Sequence, residues 1–401
     1  MTLRKWGVIG LGLALSAAGS GPATAQAQRV QLELSGRTYN AAVCARGNPA
    51  GTARCFAHVV TDARGNIRNG KPAPNVTPAG YGPADLKAAY AIPAGTGTPT
   101  IAIIDAYGYT NAEADLGVYR AQYGLPACTT ANGCFKKVDQ NGGTAYPRDD
   151  TGWSQESALD LDMASAACPN CKIVLVEAKT NSFTNLMAAV TYAKTIPGVR
   201  AISNSYGGSD SSSLAAYDST YSATNIAITA STGDSGYGAQ YPATSPGVVA
   251  VGGTSLTRSG SGFTEAAWNG AGSGCGLNHA KPSWQAGVTD ACAGRMEADI
   301  SSVADPNTGV AVYGPSSRRA SSWMVFGGTS ASAPLIGALF ALRNGAINAG
   351  SSIYSHTSAL HDVTSGSNGS SCPVNYYCNA GPGYDGPTGL GTPNGTAAFS
   401  N

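Results

Sequence analysis

Ionised side chains are scarce in this chain. Asp, Glu, Lys and Arg make up 12% of its 401 residues and nearly cancel, for a formal net charge of +1. Nucleic-acid binding draws its affinity from basic patches that displace counterions, so no nucleic-acid partner is expected. Histidine is scarcer still. The four are His58, His279, His356 and His361, and none stands in a His-Gly-Thr motif opening a helix. That removes the usual base of a serine hydrolase. Long apolar runs are few. The one at the N-terminus, WGVIGLGLALSAA (6–18), falls short of the roughly 20 residues a membrane helix needs. It follows Arg4 and Lys5, and the small residues Ala23-Thr24-Ala25 or Ala25-Gln26-Ala27 offer cleavage sites. Residues 1–27 therefore read as a signal peptide. The expectation is a secreted protein, extracellular or periplasmic, with no membrane association after cleavage.

What is present agrees with export. Ten cysteines fall into five couples close in sequence: Cys44/Cys55, Cys128/Cys134, Cys168/Cys171, Cys275/Cys292 and Cys372/Cys378. Five local disulfides is the simplest reading, although sequence alone leaves the connectivity open. Cys168-Pro-Asn-Cys171 also has redox or zinc spacing, but no second CxxC or Cys/His pair complements it.

Residues 28–80 are polar and Gly/Pro-rich and read as a short leader and linker. From residue 81 the chain alternates. Apolar strands are predicted at TIAIIDAY (100–107), KIVLVEA (172–178), VRAISNSYGG (199–208), NIAITASTGDSG (225–236) and GVVAVGGTS (247–255). Helices are predicted at 112–124, 154–167 and 184–195, and in SLAAYDSTYSAT (213–224). Such alternation gives a parallel sheet with helices on both faces. Sites in these sheets lie beyond the carboxyl ends of the strands, which singles out the loops at Asp105, Ser205 and Asp234.

The stretch WMVFGGTSASAPLIGALFAL (323–342) runs from a strand end through a glycine turn into an apolar helix. A serine there, Ser330, is held rigidly beside the free N–H groups of a helix start, as a nucleophile attacking a carbonyl requires. Pro334 is expected in the first helical turn. A capped core helix would look similar. With no histidine in place, the base must be sought among carboxylates. TGWSQESALDLDMASAA carries Glu156 and Asp160 one turn apart on one face, with Asp162 nearby. Its other residues are mostly apolar, so at least one carboxylate is expected to be buried, with a raised pKa. Asp234, in ITASTGDSGYG, could equally be a turn aspartate.

Together these segments resemble the sedolisins, the serine-carboxyl peptidases of the subtilisin-like clan. Glu156-Ser-Ala-Leu-Asp160 is similar to the family's E-x-x-L-D helix, STGDSG to its oxyanion motif and GGTSAS to its serine motif. Further similar segments are YPATSPGVVAVGGT (241–254), KPSWQ (281–285) and VADPNTGVAVYG (303–314), so the resemblance spans roughly residues 81–394. It implies a subtilisin-like α/β fold in one catalytic domain (81–401). It implies Ser330 as nucleophile, Glu156 as base, Asp160 orienting the base and Asp234 donating to the oxyanion. Protein or peptide substrates cut at acidic pH by a monomeric enzyme follow. The C-terminal segments LHDVTSG (360–366) and NAGPGYDGPTG resemble the family's calcium loop. They imply one structural Ca²⁺ held by the Asp362 and Asp385 carboxylates and the Val363, Gly381 and Gly383 carbonyls. Two features depart from the pattern. Gly327 stands where the family has serine, an exchange expected to cost little. Residues 28–80 stand where the family carries a large prodomain. An inactive secreted binding protein on the same fold is the alternative that the short leader favours.

Overall fold

The protein is described here by a computed structural model covering residues 32–35, 38–45, 49–61, 77–288 and 291–400. The expected signal peptide lies outside the described residues. The alternating elements build an eight-stranded sheet. Across it run Gly262–Ala267, Val249–Ser259, Ala227–Ser231, Val199–Asn204, Thr100–Ala106, Lys172–Ala178 and Phe135–Asp139, with Ile300–Val303 also paired to Val249–Ser259. All pairings are parallel except the hairpin Val249–Ser259/Gly262–Ala267.

Both faces of the sheet are covered, and the period-2 geometry of a strand divides its side chains between them. Ile101 and Ile103 join a core with Leu159 and Met163 of the helix Thr151–Ala167 and with Leu335, Ile336 and Leu339 of the helix Thr329–Arg343. Ala102 and Ile104 face the opposite core, with Leu186 and Val190 of the helix Phe183–Ala193. The helix Thr151–Ala167 starts earlier than its apolar periodicity suggests because the Asp150 side chain caps it, accepting the Trp153 N–H at 3.1 Å.

Three expectations need correction. The helix expected at 213–224 is a short 3-10 turn, Ser212–Tyr217, followed by irregular turns. Ser, Asp and Thr recur through this segment, and their side chains compete with helical backbone bonds. Pro334 does not sit in the first turn: the helix begins at Thr329, so the proline is inside it. The missing N–H at 334 leaves the Ser330 carbonyl without its intrahelical partner. That carbonyl lies 3.5 Å from the Ser205 hydroxyl instead. Finally, the supposed leader is built into the fold. Thr38–Ala42 and His58–Val60 belong to a five-stranded sheet with Ala320–Gly327 and Val310–Ser317, and Arg54–Cys55 pairs with Tyr206–Ser209. The apolar run around Phe56 explains this: Ala53, Cys55, Phe56, Ala57, His58 and Val59 are all buried.

All five cysteine couples form disulfides in the pairing expected, and no described cysteine is free. No described helix is long and apolar enough to cross a membrane.

Candidate active site

The carboxyl ends of the parallel strands gather the residues singled out above. Ser330 is the second residue of its helix. The turn before it is made by Gly328, whose φ of 97° favours glycine. The preceding glycine is dictated by packing. A Cβ on Gly327 would fall 2.4 Å from both the Ala304 carbonyl oxygen and the Pro306 nitrogen, so serine here would require the 304–306 backbone to move. The exchange expected to cost little is the only one this packing admits without rearrangement.

Ser330 is fully buried, as are Glu156 and Asp160, and Asp234 is 4% exposed. The Ser330 hydroxyl donates to the Ser205 carbonyl at 3.2 Å. It also faces the Glu156 carboxylate and helps to hold the Glu156 pKa down. Larger effects act the other way. Burial first, then the Asp105 charge, push Glu156 well above the usual carboxylate range. Among the described residues neither Glu156 oxygen meets the geometry of a full hydrogen bond, although the Ser330 hydroxyl and the Ala57 N–H both face the carboxylate. Asp160 is raised by burial and by the charges of Asp105 and Glu156, against the Ser205 hydroxyl, which donates to its Oδ1 at 2.8 Å.

Asp105 ends the strand Thr100–Ala106 and is fully buried, with no hydrogen-bond partner for either oxygen among the described residues. Burial pushes it up to about 7. Three carboxyl groups that repel one another in a dry site titrate as a set and share protons. Asp162, on the same helix, faces elsewhere: its Oδ2 accepts the Tyr313 N–H at 2.9 Å.

Asp234 approaches from the other side. Its Oδ1 accepts both the N–H and the hydroxyl of Thr329, each at 2.8 Å. Its Oδ2 borders the open face of Gly328, 2.7 Å from where a Cβ would stand. With Oδ1 occupied by two donors, a proton on this carboxyl belongs on Oδ2. The Ser330 N–H, unpaired within its helix, points into the same space. Sequence reasoning set His58 aside, yet it is buried here, with Nε2 3.5 Å from Asp234 Oδ2 and Nδ1 2.7 Å from Asn40 Oδ1. It also missed that Phe56 lies against Ser330, its N–H 3.1 Å from the Ser330 hydroxyl oxygen. The one available signal was the Cys44/Cys55 couple, which pins this segment in place. The other histidines are remote in function: His279 is clamped between Asp210 and Asp218, which raise it to about 9, and His356 contacts the Ser352 carbonyl.

The expected cation residues also converge. Buried Asp385 accepts the Gly381 N–H at 3.2 Å and both donors of Thr388. Exposed Asp362 accepts the Gly383 N–H at 2.9 Å. Burial raises Asp385 to about 7, and the nearby Asp362 charge adds to it. No group of three or more His, Cys, Asp or Glu side chains able to hold a metal occurs among the described residues. A hard cation would therefore draw its remaining oxygens from loop carbonyls, as Ca²⁺ does, and the glycine loop with its two carboxylates fits that donor set.

No family model matches the chain. Individual proteins do. The chain is 32% identical to kumamolisin of Bacillus sp. (strain MN-32) over 364 residues, covering 80% of this chain and 63% of kumamolisin. It is 28% identical to sedolisin of Pseudomonas sp. (strain 101) over 337 residues, covering 73% and 56%. It thus spans less than two thirds of the length of these curated relatives. Among solved structures, Pseudomonas sedolisin, a serine-carboxyl proteinase complexed with two molecules of pseudo-iodotyrostatin, superposes with a TM-score of 0.66. That match has 26% identity and covers 79% of this chain and 96% of that one. The central parallel sheet flanked by helices is thus the subtilisin-like α/β arrangement.

Proposed function

The chain belongs to the sedolisin family, and on that premise we propose that it is an exported serine-carboxyl endopeptidase acting at acidic pH. In this reading Ser330 attacks the substrate carbonyl and Glu156 takes its proton. Asp160 orients Glu156, and Asp234 with the Ser330 N–H receives the oxyanion. The observation that carries it is the burial of a serine, at a helix N-terminus, between the buried Glu156 on one side and Asp234, whose Oδ2 stands beside Gly328, on the other. Glutamate suits the base role because burial and neighbouring charge raise its proton affinity. A protonated Asp234 can donate where an ionised one cannot, which confines activity to acid. One Ca²⁺ at Asp362, Asp385 and the carbonyls of Val363, Gly381 and Gly383 would tie the C-terminal loop to the domain.

Mature protein incubated with a peptide library between about pH 3 and 7, beside its Ser330→Ala form, tests this reading. Hydrolysis confined to the serine form and to the acidic side supports it. Hydrolysis surviving Ser330→Ala overturns it.

A further inference from the structure

Three arginines converge on one cavity of about 670 Å³. It lies between the first turn of the helix that carries Glu156 and the turn of the hairpin Val310–Ser317/Ala320–Gly327, which leads into the nucleophile's helix. Arg148 enters from the loop before the first helix, Arg318 and Arg319 from the hairpin turn. None of the three guanidiniums donates to an acceptor or pairs with a carboxylate among the described residues. Elsewhere the arginines are held: Arg54 by the Ser235 hydroxyl, Arg120 by the Pro126 and Pro169 carbonyls, Arg258 by Asp85 and Arg295 by Asp299. The acids near the cavity are already engaged. Asp149 accepts the N–H and the hydroxyl of Thr110 at 3.1 and 3.0 Å. Asp150 caps the helix, and Asp115 accepts the Tyr109 and Ser321 hydroxyls at 2.6 and 2.7 Å. The walls are fixed. The Arg148 carbonyl accepts the Gly108 N–H at 2.9 Å, and the Ser316 hydroxyl closes the hairpin turn onto the Ala320 carbonyl at 3.1 Å. Gln155, next to Glu156, donates to the Pro315 carbonyl at 2.8 Å and ties one wall to the other.

Arg318 and Thr151 also line a second cavity, of about 380 Å³, beside Cys44, Trp153 and Asn181. Asn181 marks an edge that holds extended backbone. Its carbonyl accepts the Ala53 N–H at 2.8 Å, and its Nδ2 donates to the Ala53 carbonyl at 2.6 Å. From there Arg54 and Cys55 pair with the strand Tyr206–Ser209, and the Phe56 N–H reaches the Ser330 hydroxyl oxygen at 3.1 Å. A chain on this edge therefore runs toward the nucleophile with its amino side at Asn181. The smaller cavity lies beside that amino side, and Arg318 joins it to the larger one.

We propose that the cavity of Arg148, Arg318 and Arg319 binds the carboxylate side chains of an acidic peptide, and that it gives the chain a preference for substrates with Asp or Glu on the amino side of the bond cut. The binding stands on the cavity alone; the substrate preference rests on the peptidase reading above. A guanidinium presents a planar fork of donors that matches the two oxygens of a carboxylate. An arginine beside a carboxylate also lowers its pKa, so acidic side chains seated here stay ionised in the acid where the peptidase reading places activity. The cavity is large enough for more than one side chain, and its charges come from two walls. A run of acids uses both walls, as a single small anion does not.

The test has a binding arm and a hydrolysis arm. In the first, the full-length Ser330→Ala chain is titrated into fluorescein-labelled, C-terminally amidated tetraglutamate or tetraglutamine. The readout is anisotropy at low ionic strength and about pH 5, where glutamate is ionised. Tetraglutamate should bind and tetraglutamine should not. Arg318→Ser with Arg319→Ser should weaken tetraglutamate about tenfold, as for two exposed ion pairs, and Arg148→Ser on the opposite wall should weaken it too. Arg343→Ser removes the same charge at the exposed far end of the nucleophile's helix and should leave binding as it was. An equal loss in Arg343→Ser, or equal binding of the two peptides, overturns the site. In the second arm, the active chain receives a library peptide that it cuts, extended on the amino side by tetraglutamate or by tetraglutamine. The ratio of kcat/KM should favour the glutamate form, through KM, and should approach unity in the Arg318→Ser, Arg319→Ser chain. A ratio of unity in the unaltered chain, with tetraglutamate still bound, overturns the substrate preference and leaves the peptidase reading standing. If no library peptide is cut, the peptidase reading and the substrate preference fall together, and the anisotropy decides the anion site by itself.

Discussion

Replacing Asp105 by Asn, in a Ser330→Ala background that prevents self-hydrolysis, probes the buried carboxyl set directly. Burial raises Asp105 from 3.8 to about 7, and both of its oxygens lack partners among the described residues. The unfolded chain releases this proton near 3.8, whereas the folded chain keeps it until about 7. Over that interval the folded state holds the extra proton. The stabilisation is therefore complete below the unfolded value and is lost as pH rises through the folded one. Each pH unit in which the two states differ by one proton is worth about 1.4 kcal/mol, so the interval amounts to about 4 kcal/mol. Asparagine has no proton to lose. Whatever constant offset its amide introduces, Asp105→Asn should gain on its parent by about 4 kcal/mol between about pH 4 and pH 7. Urea unfolding at a series of pH values measures the difference. A gap that stays constant, or narrows as pH rises, refutes the argument that Asp105 is held protonated by burial.

Other outcomes follow from the site. Ser330→Ala and Glu156→Gln should each abolish peptide hydrolysis, and the double variant should lose little more, because the two groups act as one unit; additive losses would separate them. Asp234→Asn keeps an N–H donor at every pH, so its kcat/KM profile should extend to higher pH than the parent, and an unchanged alkaline limb would remove Asp234 from that role. Asp234→Ala should cost about 10²–10³-fold in kcat, as for one oxyanion donor. Chelator should lower the thermal midpoint if Asp362 and Asp385 hold Ca²⁺, by mass action on the folded state. An unchanged midpoint, with no metal found by elemental analysis, counts against the site.

Much of the catalytic framework was legible because it is local. Glu156 and Asp160 share a helix face by spacing alone, Ser330 announces itself by a glycine turn before an apolar helix, and each cysteine's partner is close in sequence. The parallel sheet followed from period-2 apolar runs separated by helical ones. Errors arose where local pattern and environment part. Residues 213–224 have apolar spacing but backbone-competing side chains. That the 304–306 backbone leaves no room for a side chain at Gly327 has no local signature and shows only in the packing.

The sequence by itself determined which residues could do the chemistry, since type and spacing along one element are properties of neighbours in the chain. Only the tertiary structure decided what those residues meet. Phe56 and Ser330 are 274 positions apart, and no periodicity connects them. His58 reaches Asp234 because His58–Val60 pairs with the strand that leads into the nucleophile's helix. Asp105 becomes a proton store because the closed core buries the end of its strand, with the Glu177 charge adding to the effect. Such contacts depend on how strands are ordered and which helix covers which face, so they arise only when the whole sheet closes its core.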